Sequence, residues 1–323
     1  MKKSKLETET PHYFGINQNK IFLVLFFIFL IFLFFKGLLV TSWGPGTNYR
    51  NYSVRATVNV TNSYPEIINI SCNSGQPITL NAGTTKPVNC TVQIRDYSGW
   101  NDVNYVNGTF HYNLNYSTDP DNNNVHYTNY SCSQASNDGL YLVNWTCSFD
   151  VWYYAINGSW RMNATVNDSY SAKDNDARTA NISALLALNV TDLIDYGNLA
   201  VTETSPTAIQ ANVTNFGNVP INVSVYGFGG EAEAAGAGLA MICQQRNITI
   251  SNERYGLSSA TAYDLMTPLT NAPGIIIPSL TIQKQTLPAV YVVNSTYWRL
   301  HVNVSTNPFG ICNGTVVFSA ESP

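Results

Sequence analysis

Residues 160–166 read Trp160-Arg161-Met162-Asn163-Ala164-Thr165-Val166, a strict alternation of apolar and polar side chains. Successive side chains of a β-strand point to opposite faces. Trp160, Met162, Ala164 and Val166 therefore share one buried face, while Arg161, Asn163 and Thr165 face water. The same period-two pattern recurs as VRATVNV at 54–60, VNCTVQI at 88–94 and VNWTCSF at 143–149. Short alternating runs separated by turn residues predict antiparallel β-sandwiches, and no long amphipathic helix interrupts them.

Two segments within this half read as loops by composition, STDPDNNNVH at 117–126 and SAKDNDART at 171–179. LLALNVTDLIDY at 185–196 reads as the passage into a second sandwich. There AIQANVTNFGNVPINVSVYGF at 208–228 supplies two alternating strands separated by Gly217, Asn218 and Pro220. EAEAAGAGLAM at 231–241 predicts one or two helical turns, weakened by its glycines. WRLHVNV at 298–304 and TVVFSA at 315–320 predict a terminal hairpin. The expected fold class is all-β: two sandwiches over 51–187 and 188–323, joined by a linker at 41–50 to an N-terminal helix.

That helix is expected at 21–40. IFLVLFFIFLIFLFF at 21–35 contains no polar residue and is followed by Lys36 and GLLV. Twenty helical residues span about 30 Å, the thickness of a bilayer core, if Lys36 snorkels to the interface. Lysines in the preceding flank predict a cytoplasmic tail at 1–20, a single-pass membrane anchor in contact with lipid, and extracellular C-terminal domains. A signal peptide cleaved near Val40 and Ser42 is one alternative. A pilin-type helix is another, although the small residue that usually follows a basic one at a pilin processing site is missing.

Charged residues make up 11% of the 323-residue chain, against roughly 25% in an ordinary soluble domain. The surface is expected to be wetted by Asn, Ser, Thr and Tyr, and the mildly acidic balance leaves no nucleic-acid footprint. All six cysteines follow the apolar segment, and an even number in an oxidising compartment predicts disulfides. Sequence order suggests Cys72–Cys90, Cys132–Cys147 and Cys243–Cys312 among the 15 possible pairings.

Nineteen Asn-Xaa-Ser/Thr sequons follow the same segment and none precedes it. Asn-apolar-Thr also arises as a by-product of strand alternation. The best glycosylation sites are therefore expected where Asn-Gly signals a turn, at Asn107, Asn157 and Asn313.

Chemistry is sparse. The four histidines have no nucleophile partner by motif, and no phosphate loop, nucleophile elbow or zinc-protease pattern is present, so neither an enzyme nor a cofactor is expected. Cysteine spacing excludes a zinc cluster. Asp119, Asp121 and Asn123 offer oxygens at alternate loop positions, a weak calcium pattern without the central Gly or a closing Glu. The consecutive Trp152, Tyr153 and Tyr154 suggest an outward aromatic platform for sugars or a partner.

The stretch Ile156-Asn-Gly-Ser-Trp160-Arg-Met-Asn-Ala-Thr-Val-Asn-Asp168 resembles a signature of immunoglobulin-like domains of the polycystic-kidney-disease type, which are common in archaeal and bacterial surface proteins. Asn215 to Val223, Asn-Phe-Gly-Asn-Val-Pro-Ile-Asn-Val, is similar to adhesion-type sandwiches in which an Asn/Gly turn joins two strands. The resemblance implies an archaeal-type surface glycoprotein with a structural or adhesive role, in contact with other cell-surface proteins or glycans. The alternatives are a minor subunit of a pilus-like filament and an accessory partner-binding module of an envelope complex.

Overall fold

The computed structural model describes residues 25–26 and 53–323, of which Thr61–Pro323 forms one compact unit. The expected tail, the linker and nearly all of the anchor at 21–40 lie outside the described residues, as does the sequon at Asn51. No helix among the described residues is long and apolar enough to cross a membrane.

The first half forms eight strands: β1 (Glu66–Cys72), β2 (Thr85–Arg95), β3 (Val103–Tyr112), β4 (His126–Asn129), β5 (Ser133–Asn137), β6 (Leu142–Trp152), β7 (Gly158–Asp168) and β8 (Lys173–Ile182). They make two antiparallel sheets, β1-β2-β6-β5 and β4-β3-β7-β8. One core joins the sheets: Val92, Ile94, Val143 and Phe149 from one face Val106, Phe110, Trp160 and Met162 from the other. The alternation read from 160–166 holds, with all four apolar residues buried and Arg161 exposed. Trp160 stacks on Phe110 at 4.8 Å, and its indole N–H donates to the Ile156 carbonyl, so this large side chain is buried with its one donor satisfied.

The six cysteines form three disulfides in the order the sequence suggests. Four of them make a single row across the first sheet. Cys72 lies opposite Cys90, Cys90 opposite Cys147, and Cys132 is bonded to Cys147. The row faces the core, and Gly108 lets β3 pass over it: a Cβ there would sit 3.2 Å from the Cys147 sulfur and 2.5 Å from the Met162 methyl.

The second half adds ten strands: β9 (Leu188–Val190), β10 (Ile209–Asn215), β11 (Ile221–Gly229), β12 (Leu239–Gln245), β13 (Asn247–Thr249), β14 (Glu253–Gly256), β15 (Thr267–Pro268), β16 (Ile276–Ile282), β17 (Val293–Leu300) and β18 (Phe309–Glu321). The sheets are β15-β14-β17-β10-β9 and β13-β12-β18-β11-β16. One helical turn, α1 (Glu233–Gly236), precedes β12.

Three local expectations are corrected. Residues 173–179 are not a loop but belong to β8, an edge strand whose Lys173, Asp174, Asp176 and Arg178 discourage pairing with another chain. The strands containing Trp298 and Phe318 do not form a hairpin, because β17 and β18 belong to opposite sheets. Residues 54–60, read as an alternating run, form no strand. Asn215–Val223 does join two strands, carrying the chain from β10 in one sheet to β11 in the other. Alternation reports which face of a strand is buried, and says nothing of which strand lies beside it.

Candidate functional site

The outer face of β4-β3-β7-β8 carries a polar groove. Register places Asn107 opposite Thr165 and Thr109 opposite Asn163. The sequons Asn107-Gly-Thr109 and Asn163-Ala-Thr165 thus run antiparallel on neighbouring strands, each Asn facing the other's Thr. β8 extends the rows, with Asn175 opposite Thr165. Ser117 and Thr118 of the 113–125 loop wall one side, enclosing a groove of about 590 Å³ that also includes Arg161 and Asp176. Asp176 is held by an ion pair with Arg178. The groove offers hydrogen-bond donors and acceptors, one guanidinium and one carboxylate.

The outer face of the other sheet continues the theme. Ser71, Thr91, Thr146 and Ser133 form one transverse row, and Asn69, Gln93, Asn144 and Ser136 another. Neither row contains a charge. Beneath the first lies the cystine row, so one face of the sheet carries two disulfides, Cys72–Cys90 between β1 and β2 and Cys132–Cys147 at the β5–β6 edge, and the other is hydrated.

Of the three preferred sequons, only Asn157 lies in a loop, immediately before Gly158 with its positive φ of 116°. Asn107 and Asn313 are in mid-strand, in β3 and β18, which corrects the turn reading of their Asn-Gly pairs. In both cases the glycine serves close approach. A Cβ on Gly314 would stand 2.0 Å from the Ala240 carbonyl oxygen. Asn107 and Asn157 are half-buried and Asn313 is exposed, so all three amides reach solvent. Asn167 does not. It is buried and its amide donates to the Tyr105 hydroxyl, which removes this sequon from the accessible set.

Asp119, Asp121 and Asn123 are each engaged in local hydrogen bonds. The Asp119 carboxylate accepts the Tyr116 N–H and the Asn115 amide, which hold its pKa below the ordinary value. Asp121 accepts from Thr128 and faces the His126 ring, and the Asn123 carbonyl accepts the Tyr127 hydroxyl. Their oxygens fold the loop onto β4. A different trio converges. Among the described residues, Asp96, Asp102 and Asp168 are the one set of three potential metal ligands whose carboxylate oxygens approach one another. They come from three separate stretches, and no local spacing announces them.

The aromatic run is also reassigned. Trp152 is half-buried, while Tyr153 and Tyr154 are fully buried where the two sandwiches meet. Tyr153 packs edge-on against Phe216 at 5.6 Å and donates its hydroxyl to Gln285 of the second sandwich. Lys284 reaches back to the Tyr154 carbonyl at 3.0 Å and to the Asn124 amide oxygen. The 215–223 connection completes this joint. The Asn218 side chain accepts from Leu185 N–H and donates to the Ser183 carbonyl, and Gly217 lies so close to the Leu185 carbonyl oxygen that a Cβ would stand 2.0 Å away. A run of three aromatics signals burial on both faces as readily as exposure, and a second sandwich supplies the second covering.

A second groove of about 720 Å³, at the far end of the second sandwich, is lined by Leu193, Leu199, Met241, Phe309 and Ile311 among others. Phe309 and Ile311 are largely exposed.

No protein-family model matches the chain, and no curated protein does. Among solved structures, a DUF4466 family protein from Parabacteroides merdae is similar over 75% of this chain and 100% of its own, at 8% identity and a TM-score of 0.23. The C-terminal domain of the AgI/II polypeptide BspA from Streptococcus agalactiae is similar over 76% of this chain and 91% of its own, at 6% identity and a TM-score of 0.20. Both likenesses are too distant to assign a family or a function.

Proposed function

We propose that this chain is a membrane-anchored, extracytoplasmic glycoprotein whose two sandwiches serve a structural or adhesive role at the cell surface. The observation that carries this reading is the construction of the first sandwich, with cystines in a row inside and uncharged Asn/Ser/Thr rows bearing sequons outside. Buried disulfides fit an oxidising compartment, and outward sequons fit a surface covered by sugar. The strand orders β1-β2-β6-β5 and β4-β3-β7-β8 fit an immunoglobulin-like sandwich with one extra strand beside the C–F–G set. The apolar segment at 21–40 supplies the anchor, and the role is display and contact in place of turnover.

Intact-mass spectrometry of the protein from its native source tests this directly. The expected mass exceeds the 35.6 kDa of the bare chain by several glycans and rises by about six protons on reduction. A mass equal to the bare chain removes glycosylation from the proposal, and six free thiols in the native protein remove the compartment.

A further inference from the structure

We propose that Asp96, Asp102 and Asp168 form a calcium site that fixes the N-terminal approach of the chain to the first sandwich. Asp96 follows β2, Asp102 closes the 3-10 turn before β3, and Asp168 ends β7. One carboxylate oxygen from each lies within 4.8 Å of the others. Asp96 is 0% and Asp168 2% exposed, and Asp102 is half-buried. Among the described residues no donor reaches Asp96 Oδ2 or Asp102 Oδ2.

The other oxygens are held in place. Asp96 Oδ1 accepts the Ser98 N–H at 2.8 Å, and Asp168 Oδ1 accepts the Tyr170 and Ala172 N–H groups at 2.9 and 2.7 Å. None of the three carboxylates is in an ion pair among the described residues, where the arginine ion pairs are Arg95–Glu66 and Arg178–Asp176. Two buried carboxylates and a half-buried third, with free lone pairs and no cation, are an unfavourable arrangement that a bound metal ion reverses.

The donor set selects the ion. It contains oxygen alone, which disfavours zinc and copper. The carboxylate oxygens lie within 4.8 Å of one another, a span that calcium's bonds of about 2.3–2.6 Å and flexible coordination bridge, whereas magnesium demands a near-ideal octahedron at about 2.0–2.1 Å. The location gives the site a role. Asn62 donates its amide to Asp168 and accepts from Ser98 Oγ at 2.9 Å, while Ser63 N–H donates to the same hydroxyl at 2.9 Å. Calcium on the three carboxylates therefore holds residues 62–63 against the β2–β3 turn. This end lies a full length of β2, about 34 Å at 3.4 Å per residue, from the joint with the second sandwich.

The test uses the full chain, stripped with EGTA and followed by thermal unfolding and calorimetric titration with calcium chloride. At about 10 mM calcium, above the 10⁻⁴–10⁻³ M range of extracellular calcium modules, the expected rise in Tm is about 3–10 °C. Asp102→Asn is expected to weaken calcium binding at least tenfold and Asp96→Asn to abolish it, while Asp121→Asn leaves it unchanged. In EGTA both site variants are expected to melt at or above the wild-type temperature, because a repulsive charge has gone. Should Asp96→Asn fail to fold, the half-buried Asp102→Asn carries the same comparison. No saturable heat and no Tm shift overturns the proposal. So does calcium binding that survives both site variants, and magnesium binding as tight as calcium overturns the choice of ion.

Discussion

In the first sandwich a single core runs between the sheets, and the four cysteines cross one sheet as a transverse row with Cys90 and Cys147 fully buried. In the second, the buried residues divide into two clusters, one around Trp298 and one around Leu300 and Val302. Its one disulfide, Cys243–Cys312, belongs to the smaller cluster. Between them stands a polar pair: Tyr196 packs against both clusters and donates its hydroxyl to Glu253 Oε1 at 2.7 Å. The first sandwich thus carries two disulfides on one sheet, whereas the second carries one and a buried carboxyl whose ionisation opposes folding. The same number of sheets can rest on different chemistry, and the two halves should fail under different conditions.

The largest effect is expected from the cystine row. Replacing Cys72, Cys90, Cys132 and Cys147 by Ala removes two disulfides, each worth about 3 kcal/mol for loops of this size, and so about 6 kcal/mol from the first sandwich. Removing Cys243 and Cys312 is expected to cost about 4 kcal/mol, because the chain between them is longer. Urea unfolding followed by tryptophan fluorescence measures both. Burial reverses the order for reactivity. Cys312 is half-exposed, so mild reduction with alkylation should label Cys243 and Cys312 before any cysteine of the row. Equal labelling of all six would show that the row opens as readily as the distal bond, and the contrast between the sandwiches would collapse.

Next in size is the response to pH. Burial pushes the Glu253 carboxyl from 4.5 up to about 7, against the smaller opposing pull of the Tyr196 hydrogen bond. Below pH 4.5 the folded and unfolded chains both hold the proton. As pH rises towards 7 the unfolded chain releases it while the folded chain keeps it, so stability falls across this window and levels off above it. The span corresponds to about 3 kcal/mol. Glu253→Gln keeps an acceptor for Tyr196 and carries no charge, so it should flatten the slope between pH 5 and 7 and raise stability at pH 8. A wild-type Tm that does not fall from pH 5 to pH 7.5 would break this account of the second core.

The difference between the halves also marks how far the sequence could be read. Alternation over 160–166 and 143–149 shows the buried face of each strand, and close cysteine spacing suggests the local disulfides. What lies over an outward face is set by distant residues. Tyr153 and Tyr154 are therefore buried where an exposed platform was expected, and His111, on the outer side of β3, is covered together with its neighbour His126. Asn107-Gly and Asn313-Gly have the composition of turns, but their glycines answer to a sulfur and a carbonyl from other strands. The acidic trio shows the same limit. Asp168 ends the signature at 156–168, yet only folding brings Asp96 and Asp102 beside it.

The smallest effect tests whether the two sandwiches act as one. Burial raises the Tyr153 phenol to about 12, so it stays protonated and donates to Gln285 at any physiological pH. Tyr153→Phe keeps the ring against Phe216 and leaves Gln285 Oε1 without that donor, at a cost of about 1–3 kcal/mol. Most of this cost falls on the contact between the sandwiches, because Gln285 is anchored in the second and Tyr153 in the first. Urea unfolding of the variant should then separate into two steps, with the first sandwich, held by its cystine row, unfolding later. A single step with an unchanged midpoint would mean that Asn218 and Lys284 hold the joint without Tyr153.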